Sequence, residues 1–250
     1  MKKTHKHLKE NDLNYGCSRR NFIETGFKFS VVSGIAGVGL LSGCKEKEEE
    51  EEDVSPPEDL MREHGILNRV LLVYDHFLAT LASGQSINPQ LITDSAGIIR
   101  TFIEEYHEKQ EEDYLFPRFE KAGKLTDLVQ VLRQQHQQGR IVTDQILQLA
   151  KQPSISTDND KQRLGMLLTS FIRMYRPHEA REDTVLFPAL RDIISKHEFD
   201  SLGEDFEKRE HALFGEGGFE QFVDKAANIE KQLGIYNLAQ FTPGPEVTKM

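Results

Sequence analysis

Apolar residues recur at intervals of three and four from Pro57 onward, which is the spacing that places them on one face of an α-helix. Four amphipathic segments can be separated in this way, at about 57–83, 89–120, 125–151 and 161–197. The continuous alternation of apolar and polar residues that marks a β-strand does not occur in these segments. Because short loops join them, the sequence predicts an all-α fold, an up-down-up-down four-helix bundle over residues 58–197.

Residues 198–250 continue the helical pattern in two shorter pieces. Phe199 and Phe206 lie in the first piece, a break rich in glycine follows, and Phe222 and Ile229 lie in the second. We predict a C-terminal helical extension that caps the bundle, followed by a loose polar tail. Shielding of a site or docking of a partner are the alternative roles of this extension.

The N-terminal 43 residues have the features of an export signal. Ser18-Arg19-Arg20-Asn21-Phe22-Ile23 matches the twin-arginine pattern. The apolar run at 27–41 is shorter than the roughly 20 residues that a helix needs to cross a membrane. Leu41-Ser42-Gly43-Cys44 resembles the lipobox at which a signal peptide is cleaved before a lipid-bearing cysteine. An uncleaved anchor with a chance cysteine is the alternative.

These features predict that residues 1–43 form a twin-arginine lipoprotein signal peptide and that a lipid on Cys44 anchors the protein. The anchored chain would then lie on the periplasmic or extracellular side of the membrane. Residues 44–57 contain an acidic run at 48–52 and the pair Pro56-Pro57. Like charges repel and prolines stiffen the chain, so this segment is predicted to be an extended tether.

Charge and cysteine content narrow the functional classes. The formal net charge is -10, with +4 in residues 1–43 and therefore -14 in the remainder. An acidic domain repels phosphate backbones, so a nucleic-acid partner is excluded. The two cysteines, Cys17 and Cys44, both precede the predicted bundle, which excludes a disulfide framework or a thiolate metal site within it.

An internal repeat carries the candidate chemistry. Residues 107–117 and 178–188 align without gaps, and both read H-E-x-x-E-[ED]-x-x-L-F-P. One earlier histidine precedes each copy at nearly the same distance, His64 before His107 and His136 before His178. The bundle is thus predicted to consist of two helical hairpins built on one plan. We interpret the Leu-Phe-Pro ends as packing and helix-end signals, because proline cannot donate a helical hydrogen bond.

The repeat places metal-binding side chains on one helix face. Residues four apart lie above one another, so His107 and Glu111 face the same way, as do His178 and Glu182. These four side chains would meet His64 and His136 in the middle of an antiparallel bundle. Four imidazoles and two carboxylates able to bridge suit iron or manganese better than the closed tetrahedron of zinc. A single His-x-x-x-Glu would be a weak signal, but the duplicated set has no simple structural explanation.

These residues and spacings resemble the hemerythrin family, over about residues 58–196. The resemblance implies a non-haem centre of two iron ions, with manganese as an alternative metal. It also implies O2 as the small ligand, with nitric oxide, peroxide or iron itself in some relatives. Carried over by position, the four histidines would be terminal ligands, and Glu111 and Glu182 would be bridges. Asp183 competes with Glu182, because oxygen-carrying members place the second bridge five residues after the histidine.

The sequence departs from the oxygen carriers at one position. These carriers have a further histidine one turn after the third-helix ligand, where this chain has Arg140. The lost donor would be replaced by Glu108, Glu179 or water, which makes these two glutamates and Asp183 additional candidate metal ligands. The departure favours reactivity, sensing or iron handling over reversible O2 carriage.

Three functions are compatible with this pattern. The first is a lipid-anchored di-iron protein that binds or senses O2, nitric oxide or peroxide, and it is the prediction we favour. The second is a di-iron oxidase or peroxidase that uses open coordination positions. The third is iron storage or delivery. The sequence leaves open whether the protein is an enzyme and identifies neither a protein partner nor an oligomeric state.

Overall fold

The computed structural model describes residues 54–151, 155 and 157–244 of the chain. The predicted signal peptide, Cys44 and the acidic run of the tether lie outside the described residues. Within the described part every regular element is helical, which confirms the predicted all-α class. The elements are α1 (Pro56–Ala82), α2 (89–122), α3 (Thr126–Ala150), α4 (158–189), α5 (Lys196–Phe214), α6 (Gly218–Leu233) and a 3-10 turn (Leu238–Phe241).

Helices α1 to α4 form an up-down-up-down bundle. Each packs against the next along the chain, and α4 closes the ring against α1. The bundle interior holds large side chains with essentially no exposure, among them Tyr74, Phe77, Phe171 and Leu168. A second apolar cluster lies at the other end and includes Phe116, Phe187 and Phe206. Polar histidines and glutamates are buried between these clusters.

The first helix begins earlier than the sequence pattern predicts. Pro56 and Pro57 belong to its first turn and not to the tether, because the first helical positions do not use the N–H group that proline lacks. Ser55 precedes them as the N-cap. The Glu58 carboxylate accepts hydrogen bonds from the backbone N–H and the hydroxyl of Ser55, at 3.0 and 2.6 Å. This capping box fixes where the helix starts.

Two of the bundle helices contain wide π turns beside the candidate ligands. In α2 these turns span Ile99–His107 and Glu111–Leu115, and in α4 one spans Glu182–Leu186. Such turns shift the register of the residues that follow and are frequent at functional sites. Pro117 and Pro188 each follow a π turn after one intervening phenylalanine. Helix α2 continues past Pro117 to residue 122, whereas α4 ends at residue 189, directly after Pro188.

The fourth helix ends before His197, contrary to the sequence interpretation. A 3-10 turn (Leu190–Asp192) follows α4, and after a short break Ser195 caps α5 by accepting a hydrogen bond from the Glu198 backbone N–H at 3.2 Å. His197 therefore belongs to the C-terminal extension, in which it is exposed. Serine at the N-cap supplies the boundary that apolar spacing alone does not reveal.

The extension packs against the bundle as an integral part of the fold. Helix α6 contacts α1 and α2, and α5 contacts α1. The ring of Phe222 stacks on Phe102 with centroids 4.5 Å apart. Arg69 on α1 donates two hydrogen bonds to Glu230 on α6, at 2.9 and 2.6 Å. Among the described helices none has both the length and the apolar character needed to cross a bilayer.

We expect Phe222→Ala to lower the free energy of unfolding by about 3–5 kcal/mol, because it empties a fully buried site against Phe102. Urea denaturation followed by circular dichroism measures this change. The matched control is Phe241→Ala at a side chain that is 48% exposed, which should change stability by less than about 0.5 kcal/mol. Equal effects of the two variants would show that the extension does not contribute to the stability of the bundle.

Candidate metal centre

Six side chains predicted from the repeat converge in the middle of the bundle. They form two groups, in each of which the potential ligand atoms lie within 4.8 Å of one another. Site A consists of His64, His107, Glu111 and Glu182, and site B consists of Glu111, His136, His178 and Glu182. Each site therefore has its own pair of imidazoles from one hairpin, and the two sites share both carboxylates.

The shared carboxylates lie between the two imidazole pairs. Oε2 of Glu182 is 3.4 Å from Nε2 of His64 and 3.1 Å from Nε2 of His178. The Glu111 carboxylate is 3.8 Å from Nε2 of His107 and 3.4 Å from Nε2 of His136. Each glutamate thus contacts one imidazole of each site, as a carboxylate that bridges two ions would.

All four imidazoles are oriented by a hydrogen bond at Nδ1. His64 contacts Asp183 at 2.7 Å and His107 contacts Glu63 at 2.8 Å. The equivalent pairs in the other half are His136 with Glu112 at 3.1 Å and His178 with Gln135 at 2.9 Å. Partners of this kind fix the ring orientation of metal-binding histidines and leave Nε2 free for the ion.

Two phenylalanines of the repeat hold the first-helix histidines. Phe187 stacks on His64, and Phe116 stacks on His136, each with ring centroids 5.5 Å apart. Each phenylalanine belongs to the hairpin opposite the histidine that it contacts. The packing role predicted for the Leu-Phe-Pro ends is therefore combined with a direct contact to the candidate ligands.

The inner surface of this site consists of hydrogen-bond acceptors. Glu63 and Glu112 are carboxylates, so neutral His107 and His136 carry their proton on Nδ1 and the lone pair of Nε2 points inward. Nε2 of His136 and Nε2 of His178 face each other at 3.2 Å. Nε2 of His64 and all four carboxylate oxygens of Glu111 and Glu182 have no hydrogen-bond partner in the described structure. Cations satisfy such a pocket, so the residues fit a pair of metal ions.

Comparison with known proteins agrees with this geometry. The family model for the hemerythrin HHE cation-binding domain matches residues 55–190. The chain belongs to the hemerythrin family. It is 46% identical to the uncharacterized protein Rv1995 of Mycobacterium tuberculosis and to the uncharacterized protein Mb2018 of Mycobacterium bovis. Each alignment covers 237 residues, 90% of this chain and 91% of the relative. No solved structure gives a significant match.

In this hemerythrin-family chain Glu182, and not Asp183, lies between the two sites. Glu182 is fully buried, whereas the Asp183 side chain is 34% exposed and contacts the outer nitrogen of His64. The other two additional candidates also point elsewhere. Glu179 accepts a hydrogen bond from Asn68 at 3.0 Å and belongs to neither site A nor site B. Glu108 accepts a hydrogen bond from the Tyr175 hydroxyl at 2.6 Å.

Arg140 occupies the position at which the oxygen carriers have a histidine. Its guanidinium lies 2.7 Å from Glu108 and 2.8 Å from Glu112 and supplies no nitrogen donor to either site. Glu108, Glu112 and His136 also come within metal-ligand distance of one another, but the arginine cation already pairs with both carboxylates. A β-carbon on Gly139 would lie 2.0 Å from the Tyr175 hydroxyl oxygen, so glycine there leaves room for the Tyr175–Glu108 contact.

Sequence reasoning missed the outer partners of the histidines. Glu63 and Gln135 directly precede the first histidine of each hairpin, and Glu112 lies five residues after His107, as Asp183 does after His178. These residues occupy equivalent positions in the two copies of the repeat, and this equivalence could have identified them from the sequence. Tyr106, directly before His107 on α2, donates a hydrogen bond to Glu210 on α5 at 3.2 Å.

Burial and neighbouring charges set the protonation of the metal-free centre. Burial opposes the charged form of His64, but the neighbouring carboxylates of Asp183 and Glu182 raise its pKa to about 10. Burial and the nearby Glu182 raise the pKa of Glu111 well above its ordinary range. Burial lowers the pKa of His136 to about 4, and burial together with His64 lowers that of His107. At neutral pH the metal-free centre therefore holds a proton on His64.

We expect metal binding to release the proton of His64. The raised pKa of His64 means that its proton must leave before Nε2 binds an ion. The affinity for Mn²⁺ should therefore increase between pH 6 and pH 8, by up to about tenfold per pH unit for each proton released. Without metal, the stability that the His64 proton contributes is complete below its unfolded pKa near 6.5 and is lost as pH rises toward 10.

Calorimetric titration with Mn²⁺ in two buffers of different ionisation enthalpy counts the released protons. His211→Gln, at an exposed histidine of α5, is the control and should release the same number as the unsubstituted chain. A heat of binding that is the same in both buffers would contradict the prediction.

Proposed function

We propose that this chain is a lipid-anchored protein outside the cytoplasmic membrane that holds two non-haem iron ions and binds or senses O2, with nitric oxide or peroxide as related ligands. One observation carries the di-iron part of the proposal. Glu111 and Glu182 each contact one imidazole of site A and one of site B. An arrangement with two separate imidazole pairs and two shared carboxylates supports two neighbouring ions.

The donor set supports iron rather than zinc. Structural zinc sites are closed tetrahedra, often with thiolates, and the bundle contains no cysteine. Imidazole and carboxylate donors suit iron and also manganese. Two imidazoles and two shared carboxylates would offer each ion four donors. Iron with open coordination positions can bind small diatomic ligands and exchange electrons.

Burial of the centre supports a very small ligand. The six candidate ligand residues are between 0% and 4% exposed. A substrate with a carbon skeleton would require the helices to separate, whereas O2 and nitric oxide need little more space than a water molecule. Side chains that recognise a larger substrate are not evident around the pocket among the described residues.

The environment of Arg140 supports sensing over carriage. Its guanidinium is paired with Glu108 and Glu112, so it leaves site B with two imidazoles, as in site A. The extra nitrogen donor of the oxygen carriers is thus missing from the described centre. A centre with two imidazoles for each ion leaves more positions for reaction with the bound ligand.

The proposed location is supported by the twin-arginine pattern and by Leu41-Ser42-Gly43-Cys44. The twin-arginine route carries folded proteins, so the metal ions can be inserted before export. A lipid on Cys44 and the acidic tether would then hold the bundle close to the membrane surface.

We expect the purified chain to contain two iron ions and to change its visible absorption when O2 is added to the anaerobically reduced protein. Glu111→Gln should lower the iron content, because one shared carboxylate is lost from both sites. The matched control is Glu105→Gln at an exposed position of the same helix, which should retain two ions. Metal analysis and ultraviolet-visible spectra provide both measurements.

The other outcomes distinguish the alternative functions. Steady turnover of peroxide that is abolished in Glu111→Gln would identify an enzyme. Many more than two iron ions per chain would identify storage. Absence of bound iron or manganese in both the purified and the reconstituted chain would reject the di-iron proposal.

We expect Cys44→Ala to release the exported protein from the membrane fraction, because the variant lacks the thiol that would carry the lipid. Cys17→Ala is the matched control, since this cysteine precedes the twin-arginine pair and would be removed with the signal peptide. Cell fractionation with an antibody against the bundle follows both variants. Membrane retention of Cys44→Ala would contradict the predicted lipid anchor.

A further inference from the structure

The outer partners of the four histidines are not equivalent in charge. The repeat relates Glu63 to Gln135, each directly before the first histidine of its hairpin. Nδ1 of His107 in site A contacts the Glu63 carboxylate, whereas Nδ1 of His178 in site B contacts the Gln135 amide oxygen. Two sites with the same ligand types thus differ by one formal negative charge at equivalent positions.

Site A is supported by further carboxylates. Glu63 is fully buried, and its carboxylate lies within 4.8 Å of those of Asp59 and Glu210. Glu210 comes from α5, outside the part of the chain that matches the family model. The other histidine of site A, His64, contacts the Asp183 carboxylate at 2.7 Å. Both imidazoles of site A therefore hydrogen-bond to carboxylates.

Site B has a less negative environment. Glu112 is its one carboxylate partner at Nδ1, and two cations contact that carboxylate, Lys109 at 2.5 Å and Arg140 at 2.8 Å. The other partner, Gln135, is neutral. The negative charge behind site B is thus largely offset.

This difference has a consequence for metal affinity. A carboxylate that accepts the Nδ1 proton makes the imidazole a stronger donor, and loss of such a partner costs about 10-fold to 100-fold in metal affinity. A buried negative charge also attracts a nearby cation with little screening by salt. Both effects favour the ion in site A.

We propose that Glu63 is a positioning residue that makes site A the tighter of the two metal sites, so that ions occupy site A before site B. The inference rests on the proposed two-metal function, and it adds an order of binding that the shared ligand set alone does not provide.

Stepwise titration of the metal-free full chain with Mn²⁺ tests this order. Calorimetry gives the affinities, and electron paramagnetic resonance separates one isolated ion from a coupled pair. We expect two steps that differ in affinity by about 10-fold to 100-fold. His178→Ala leaves the histidines of site A, and His107→Ala leaves those of site B. The former variant should bind its ion more tightly.

Exchange of the two outer partners identifies the cause. Glu63→Gln should weaken the first step, and Gln135→Glu should strengthen the second, each by about 10-fold or more. The double variant Glu63→Gln/Gln135→Glu should therefore bind first at site B. The control Glu105→Gln should retain the two steps of the unsubstituted chain. Circular dichroism verifies that each variant is folded. If Glu63→Gln does not fold, Gln135→Glu and the two histidine variants decide the question.

The outcomes separate this inference from the proposed function. Binding of two ions with equal affinities, unchanged by Gln135→Glu, would overturn the inference and leave the two-metal site intact. A third Mn²⁺ bound among Asp59, Glu63 and Glu210 would also overturn it, since Glu63 would then be a ligand. Failure of the unsubstituted chain to bind two ions would instead reject the proposed function.

Discussion

Convergence of acceptor atoms at the centre of the bundle is the constraint on which the rest of the structure depends. Four imidazole nitrogens and four carboxylate oxygens point into a volume with almost no access to water. Placing such atoms together is unfavourable unless positive charge lies among them. In the metal-free protein a proton on His64 supplies part of that charge. Metal ions supply it more completely, so folding and ion binding are linked.

Each hairpin of the repeat orients the first-helix histidine of the other hairpin. Asp183 and Phe187 from the second hairpin both contact His64 from the first, Asp183 at Nδ1 and Phe187 on the ring face. Glu112 and Phe116 from the first hairpin do the same for His136 from the second. A histidine held by a hydrogen bond and a stacked ring has few alternative rotamers. The motif therefore serves the ligands of the opposite hairpin as well as its own.

The sequence was sufficient to predict the bundle and the six convergent residues, because helical spacing fixes which side chains share a face. It did not reveal the π turns, since a wide turn depends on tertiary packing and has no residue signature of its own. Pro56 and Pro57 were misassigned because proline is compatible both with a tether and with a first helical turn. Asp183 and Glu182 were indistinguishable until the backbone at the start of the third π turn was known.

The C-terminal extension shows how a general fold acquires features of its own. By position alone α5 is a cap on the bundle, yet it places a buried glutamate beside Glu63, the outer hydrogen-bond partner of the candidate ligand His107. Glu210 lies within 4.8 Å of Glu63, and Glu63 contacts His107. The symmetric repeat has no counterpart for Glu210, because α5 lies outside it. An element added to one side of a two-fold arrangement necessarily breaks the equivalence of the two sites, and here it does so with charge, the property to which a bound cation responds most strongly.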